Sequence, residues 1–403
     1  HPWSRKNTSL DVDDYFVGPR DTSKHSKWPI FMQMHGSILP EMILPLIFVA
    51  GWSTAITCIS TFVFNLGINS LLLTVLGFVV GLGLSFRSST AYERYNEGRK
   101  FWTQLMTASH ALARVIWIHT AEREEQRKED LLAKMTGLNL IVAFAVALKH
   151  RLRFEPYTGY DDLEGLVQHL ETFAQSATEP GSCDPPRKSS VKAIGEYLGV
   201  SFAESNPRKV IKRSKKPLGN LPLEILSYLA SYMDEVVENG QLKTPMHLTL
   251  AYNNIAALND VLTGTDRILN TPLPVAYSIS IAQVTWVYIL SLPFQLYKAL
   301  GWVTIPGSVI AAYIILGILL IGREIENPFG NDVNDLPLDH FCQQIAVEID
   351  IIAARRRPRA AAYIRHPANR VLFPLSQSAY PVWAQRSETR IRAELVAKTE
   401  MGF

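Results

Sequence analysis

Residues 68–102, INSLLLTVLGFVVGLGLSFRSSTAYERYNEGRKFW, contain the change in composition that decides the fold. The first 19 of them, from Ile68 to Phe86, carry no charge, and from Arg87 onward the sequence is dense in arginine, glutamate and aromatic residues. A helix rises about 1.5 Å per residue, so about 20 apolar residues cross the hydrocarbon of a bilayer. The stretch therefore predicts a transmembrane helix that continues into water. The lipid bilayer is accordingly a predicted partner of the protein.

An apolar stripe and a pair of glycines occur within this uncharged run. Phe78, Leu82 and Phe86 recur every four residues, which places them along one face of a helix. Gly77 and Gly81 form a small-xxx-small pair, and such pairs let membrane helices pack closely. The stripe is therefore a candidate for the wall of a pore.

The composition indicates a membrane protein with large parts in water. Of the 403 residues 47% are hydrophobic, too few for a bundle that lies wholly in lipid. The net charge of +3 does not point to nucleic acid, and no nucleic-acid partner is predicted. Cys58, Cys183 and Cys342 are far apart and form neither a disulfide framework nor a zinc motif, so the parts in water are expected in a reducing cytosol. The first 37 residues contain no apolar stretch of the kind found in secretory signals.

Motifs of the common enzyme classes do not occur in the sequence. It contains no HExxH, GxSxG, P-loop or GxGxxG pattern. Acidic pairs such as Asp161 and Asp162 lie in a polar segment without catalytic partners nearby in sequence. The protein is therefore predicted not to be an enzyme.

Four apolar segments are long enough to cross a bilayer. They cover residues 38–64, 68–86, 277–296 and 302–321, and short turns join the first to the second and the third to the fourth. These turns are nearly free of lysine and arginine, whereas the rest of the chain is rich in both. The positive-inside rule therefore predicts a multi-pass membrane protein with both termini in the cytosol.

The chain divides into five predicted segments. They are an N-terminal cytosolic arm (1–37), two transmembrane helices with the cytosolic extension of the second (38–102), a cytosolic helical region (103–277), two further transmembrane helices (278–321) and a C-terminal cytosolic segment (322–403). Helical periodicity occurs at 99–121, 131–150, 163–175, 222–238 and 245–268, and 176–218 has the composition of a basic loop. The apolar run 135–148 is short for a span and predicts a buried helix.

Two stretches carry a resemblance to a known family. GFVVGLGLSFRSSTAYERYNEGRKFW and the later EIENPFGNDVNDLPLDHFC resemble the two signature stretches of the bestrophin family, in the branch found in bacteria, plants and fungi. The resemblance covers roughly residues 12–350. It implies an all-α integral membrane protein with four transmembrane helices, a large helical cytosolic region and a homopentameric channel for chloride and other small anions.

The resemblance also assigns roles to individual residues. The second helix of each subunit lines a narrow apolar neck, which falls here on Phe78, Leu82 and Phe86. A second constriction in the cytosolic half follows a proline at a helix start, and the context LKTPMHLTL places it at Met246, with Thr244 as the expected helix cap.

A calcium site is implied near Asp332 and Asp335. In animal bestrophins two acidic side chains with this spacing bind calcium together with backbone carbonyls, and the corresponding carbonyl here is that of Asn327. Uncharged residues interrupt the acidic run in this chain. The alternative is structural, with Asp335 capping a helix that begins near Pro337 and Asp332 forming an Asx-turn.

Charged and aromatic residues mark the predicted exit from the membrane. The interpretation as interfacial anchors and an aromatic belt applies to Arg87, Glu93, Arg94, Glu97, Arg99, Tyr92, Tyr95 and Trp102.

Two other functions stay open from the sequence alone. An uncharged neck does not fix the sign of the permeant ion, so a cation-selective relative is the first alternative. A membrane-anchored scaffold whose basic segment KVIKRSKK (209–216) binds anionic lipid is the second.

Overall fold

The computed structural model describes residues 36–69, 71–178 and 216–400, and its regular elements there are all helices. The predicted N-terminal arm up to residue 35 and most of the basic loop 176–218 lie outside the described residues. The helices are α1 Leu39–Phe62, α2 Leu71–Arg114, α3 Arg127–Leu152, α4 Glu164–Val167, α5 Phe173–Ala177, α6 Leu221–Glu238, α7 Pro245–Asn270, α8 Val275–Leu300, α9 Thr304–Glu324, α10 Leu338–Ala353, α11 Ala360–Ile364, α12 Tyr380–Ala384 and α13 Glu388–Glu400.

Four of these helices correspond to the predicted spans. They are α1, the first half of α2, α8 and α9, and they pack around a small apolar cluster while many of their outward side chains are exposed. The cluster consists of Met42, Val49, Val80, Leu84, Ile289, Ala312, Leu316 and Leu319. Apolar side chains that face outward over such lengths are typical of contact with lipid, and the chain is an integral membrane protein.

The two hairpin turns of this bundle lie at the same end. The Ile68 backbone N–H donates to the Phe294 carbonyl oxygen at 2.9 Å, and the hydroxyl groups of Thr61 and Tyr297 lie 3.0 Å apart. Both turns are therefore on one side of the membrane, which agrees with their shared low content of lysine and arginine, Lys298 alone.

Helix α2 is the longest element and belongs to both halves of the molecule. Its 44 residues span about 66 Å, more than twice the thickness of bilayer hydrocarbon. The predicted segment boundary after residue 102 falls inside this helix, and the helix predicted at 99–121 is its continuation. A π-helical turn, Val115–His119, follows its last residue.

The helical half outside the four spans is called the cytosolic half, after the side on which the sequence analysis places it, and it is built around α3. This helix is buried on nearly all sides from Gly137 to Leu152 by α2, α6, α7 and α10, so the prediction of a buried helix at 135–148 is confirmed. The large side chains of this core, from α3 and from the elements around it, include Trp102, Leu105, Phe144, Leu148, Ile225, Leu258, Phe329 and Ile345.

Of two helices predicted for the cytosolic half, one is divided in the structure and the other begins where it was expected. The single helix predicted at 163–175 is two short helices, α4 and α5, separated by a turn at 168–172. Helix α10 begins at Leu338, next to the helix start near Pro337 that the sequence analysis gave, and it buries an apolar stripe against α2 and α3. The stripe consists of Leu338, Phe341, Cys342, Ile345 and Ile349.

A buried ion network joins the end of α3 to the start of α10. Lys149 donates to Asp162 and, at 2.7 Å, to Asp339, while the His150 ring nitrogens lie 2.5 Å from Glu155 and 2.8 Å from Asp162. Burial alone would lower the pKa of His150, but the hydrogen bonds to the two carboxylates outweigh it and raise that pKa above its ordinary value. The network therefore favours an imidazolium at this position.

Candidate pore site

The exposed face of α2 carries the three predicted neck residues. Phe78, Leu82 and Phe86 are 71%, 46% and 59% exposed, whereas Val80 and Leu84, on the opposite face, are each 4% exposed. At 100° per residue the first three lie within one 80° sector of the helix. The structure thus brings them together on a single apolar face that no other part of the described chain covers.

The two glycines of α2 differ in their surroundings. A Cβ atom on Gly77 would lie 3.3 Å from the Tyr288 hydroxyl, so α8 approaches the backbone of α2 closely there. A Cβ atom on Gly81 would meet nothing within 4 Å. The predicted close packing is therefore found within the chain at Gly77, and Gly81 lies on open helix surface.

The interpretation of the exit residues as interfacial anchors is wrong for three of them, Arg87, Arg94 and Trp102. Trp102 is fully buried in the cytosolic core, and its ring lies 5.8 Å from that of Phe341 on α10. Arg87 is buried as well, with its guanidinium 3.7 Å from the Glu326 carboxylate. Because α2 continues straight into a soluble core, these side chains meet protein where the sequence suggested headgroups.

Arg94 lies on the same face of α2 as Arg87. Its guanidinium donates to three backbone carbonyl oxygens, those of Thr271, Ile268 at 2.5 Å and Glu326 at 3.1 Å. The first two belong to the C-terminal end of α7, whose last carbonyls have no partners within the helix. Sequence analysis missed this role, because backbone acceptors far along the chain leave no side-chain motif.

The start of α7 exposes the predicted aperture residue. Helix α7 begins at Pro245, as expected, and Met246 is 77% exposed. The expected cap is wrong, because the Thr244 side chain makes no capping hydrogen bond. The next residue, His247, stacks on His119 with ring centroids 4.0 Å apart.

The environment of the stacked pair disfavours a charged His119. Burial, followed by the nearby His247 and Arg357, lowers the pKa of His119 below its ordinary value. This pair belongs to the surroundings of Met246 that sequence reasoning did not identify.

The loop before α10 holds both candidate calcium residues. The carboxylate of Asp335, which is 3% exposed, accepts from the Asp332 backbone N–H at 2.8 Å, and the Asp335 N–H donates to the Asp332 carbonyl at 3.0 Å. The prediction that Asp335 caps the next helix is wrong, because its carboxylate turns back into its own loop and Pro337 heads α10 without a side-chain cap.

The donor set of this loop is incomplete for calcium. Calcium takes six to eight oxygens, and the loop offers the carboxylates of Asp332 and Asp335 with backbone carbonyls such as that of the exposed Asn327. Within residues 36–69, 71–178 and 216–400 no group of three or more His, Cys, Asp or Glu side chains could hold a metal ion. One chain by itself therefore supplies only part of a calcium shell.

Comparison with known proteins identifies relatives over most of the chain. The family described as "Bacterial/Fungal Bestrophin protein" matches residues 19–351. A voltage-dependent anion channel-forming protein of Synechocystis sp. is 32% identical over 80% of this chain and 90% of its own length. A protein of the same description from Nostoc sp. is 32% identical over 81% of this chain and 92% of its own.

Solved structures share the fold. A crystal structure of a bacterial bestrophin homolog from Klebsiella pneumoniae matches with a TM-score of 0.58 and 22% identity, over 78% of this chain and all of that one. Another variant of that homolog matches with a TM-score of 0.59 and 24% identity, over 80% of this chain and all of that one.

Proposed function

This chain belongs to the bestrophin family, and we propose that it is a passive channel for chloride and other small anions. The observation that carries the proposal is the stripe of Phe78, Leu82 and Phe86 on a helix that runs from the membrane into the cytosolic half. Its relatives in cyanobacteria are named for anion-channel formation, which supports the same function. The proposal includes no enzymatic activity.

The proposed assembly is a homopentamer with one α2 helix from each subunit around a central axis. The stripe is uncovered within one chain, as is the backbone at Gly81, so further copies of α2 have open surface to pack against. Apolar surface of this kind gains free energy when a second protein surface or lipid covers it.

Five copies of the stripe would form a hydrophobic neck. A narrow apolar tube holds water poorly, and an ion that enters loses part of its hydration shell, so such a neck gates by dewetting. Weakly hydrated anions are the ions that cross at the lowest cost. The positive edges of the Phe78 and Phe86 rings can face an anion, which favours chloride over potassium.

Met246 is the proposed aperture on the cytosolic side. It is exposed at the N-terminus of α7, where the helix dipole contributes partial positive charge that favours anions. In this arrangement both chain termini and the whole cytosolic half lie on the side opposite the two hairpin turns, which contain little positive charge.

Calcium dependence is a finer part of the proposal. Asp332 and Asp335, with the carbonyl of Asn327, would hold the ion, and a bound cation would neutralise two carboxylates at the end of the last span. Because these groups are too few for a full shell, the remaining oxygens would come from water or a neighbouring subunit.

The test is a reversal-potential measurement on the purified full chain in planar bilayers under a potassium chloride gradient. We expect a reversal potential near that of chloride. A value near that of potassium would support the cation-selective alternative and overturn the anion proposal.

The scaffold alternative is tested with the same preparation. A properly assembled protein that carries no current would overturn the channel proposal. Neutralisation of the lysines and arginines in 209–216 should leave the current unchanged, because the proposed pore does not include that segment.

A further inference from the structure

We propose that Arg94 is a positioning residue for the neck. It joins α2 to α7, here called the aperture helix because it carries Met246, and to the segment that leads into the acidic loop, which is the loop of Asp332 and Asp335 before α10. The inference rests on the proposed channel function. The guanidinium of Arg94 binds three carbonyl groups, and these belong to two segments that are far from α2 in sequence.

The position of Arg94 on α2 places the joint close to the neck. It follows Phe86 by eight residues, which is about 12 Å along the helix axis. On the helical wheel it lies about 120° from Leu82 and about 80° from Phe86, so it is to one side of the stripe. The joint therefore holds α2 beside the stripe and fixes the direction in which the stripe faces.

The first partner of the joint is the aperture helix. Arg94 binds the carbonyls of Ile268 and Thr271 at the end of α7, and Met246 lies at the other end of the same helix. Terminal helix carbonyls carry partial negative charge and lack partners within the helix, so the half-buried guanidinium of Arg94 suits them. A shift of α7 along its axis would pull directly on α2.

The second partner is Glu326, just after α9. Arg94 binds its backbone carbonyl and Arg87, two helical turns earlier on the same face, lies 3.7 Å from its carboxylate. Asp332 and Asp335 follow Glu326 by six and nine residues. The segment that enters the acidic loop is thus held on α2 by two arginines.

The chemistry of the joint requires arginine. A guanidinium presents five N–H donors in a rigid plane, so one side chain can serve three carbonyls that approach from different directions. Lysine keeps the positive charge but presents a single ammonium group. Arg94→Lys therefore loosens the joint while it preserves the charge of the helix.

The experiment compares Arg94→Lys with Arg386→Lys, the same substitution at an exposed arginine after α12 and away from α2, both recorded as single channels from the full chain. Loosening the joint should let the neck side chains move off the axis. We expect Arg94→Lys to raise open probability between about twofold and thirtyfold, the range of measured coupling effects. Conductance and the chloride-to-potassium permeability ratio should stay at the parent values, because the neck and aperture side chains are unchanged.

A double-mutant cycle separates positioning from general weakening. In a background with Phe78, Leu82 and Phe86 all changed to alanine, Arg94→Lys should have no further effect on open probability, since the neck it positions is gone. An equal effect in both backgrounds would overturn the inference, as would a parent-like open probability in correctly assembled Arg94→Lys. A parent protein without current would instead overturn the proposed function.

Discussion

Helices α1 and α3 contain equally apolar 18-residue windows, but α1 lies at the outer surface and α3 lies in a protein core. The most apolar 18-residue window has a mean hydropathy of 2.0 in each, yet 28% of that window is buried in α1 and 67% in α3. Helix α1 shows its apolar side chains to the outside, whereas α3 is covered by four other helices of the cytosolic half. Length and hydropathy thus identify an apolar helix, and only the arrangement of the rest of the chain decides whether lipid or protein covers it.

The largest effect expected from this contrast is on stability, in the cytosolic half. Phe144 on α3 is fully buried, and Phe144→Ala should lower the free energy of unfolding by about 3–5 kcal/mol through lost burial and a cavity. Leu132, on the same helix, is 60% exposed, and Leu132→Ala is the control, with an expected change within about 0.5 kcal/mol. Thermal unfolding in detergent measures both, and equal losses would contradict the assignment of α3 as a core helix.

The next effect concerns conduction in the membrane half. The triple change of Phe78, Leu82 and Phe86 to alanine should widen and wet the neck. We expect the macroscopic current to rise on the order of tenfold, equal to about 1.4 kcal/mol in the equilibrium between dry and wet neck. Whole-bilayer recordings at matched protein density measure it.

Two exposed residues elsewhere in the bundle provide the control for that experiment. Ile47 on α1 and Ile310 on α9 are 63% and 60% exposed, which resembles the exposure of the neck side chains within one chain. Their change to alanine should leave the current at its parent level, because they face lipid in the proposed assembly. A parent-like current in the neck variant would refute its assignment as the gate.

A smaller effect is expected at the acidic loop. Changing Asp332 and Asp335 together to asparagine keeps hydrogen-bond acceptors in the loop and removes both charges. Open probability should then lose its dependence on micromolar calcium and keep its calcium-free value, because carboxylates are the charged ligands in the proposed site. The same calcium response in parent and variant would leave these residues with a structural role alone.

The smallest effect is on the pH dependence of the cytosolic half. The pKa of His150 is raised from 6.5 in the folded protein, so its contribution to stability is complete below pH 6.5 and is lost as the pH rises through the folded value. Unfolding midpoints of the parent should therefore fall on the alkaline side of pH 6.5, and His150→Gln should reduce that fall. A pH profile unchanged by the substitution would show that the network does not depend on the imidazolium.

Much of the membrane half could be predicted from the sequence. Uncharged runs of bilayer length and a repeat of four in Phe78, Leu82 and Phe86 are local signals, and the structure has the corresponding helices and exposed face. The cytosolic half depends on contacts distant in sequence. The start of α10 near Pro337 was expected, but the role of its apolar stripe is recognisable only once α2 and α3 are in place.

The roles of two residues at the candidate site could not be predicted from the sequence either, because they depend on contacts with backbone groups. Arg94 has the sequence context of an interfacial anchor, but its partners are main-chain oxygens more than 170 residues away, which any residue type could supply. Asp335 has the spacing of a helix cap, and the competing local bond to the Asp332 N–H takes its carboxylate instead. In both cases a backbone group decided the role of the side chain, and backbone groups carry no sequence signal.

The unbroken length of α2 makes it a lever arm. No proline interrupts its 44 residues, so a tilt of one degree about one end displaces the other, about 66 Å away, by about 1 Å. Displacements of that size decide whether a narrow apolar tube holds water. A small change of tilt at the cytosolic end of α2, beside the π-helical turn Val115–His119, therefore displaces the membrane end of the helix by an amount that matters for the neck.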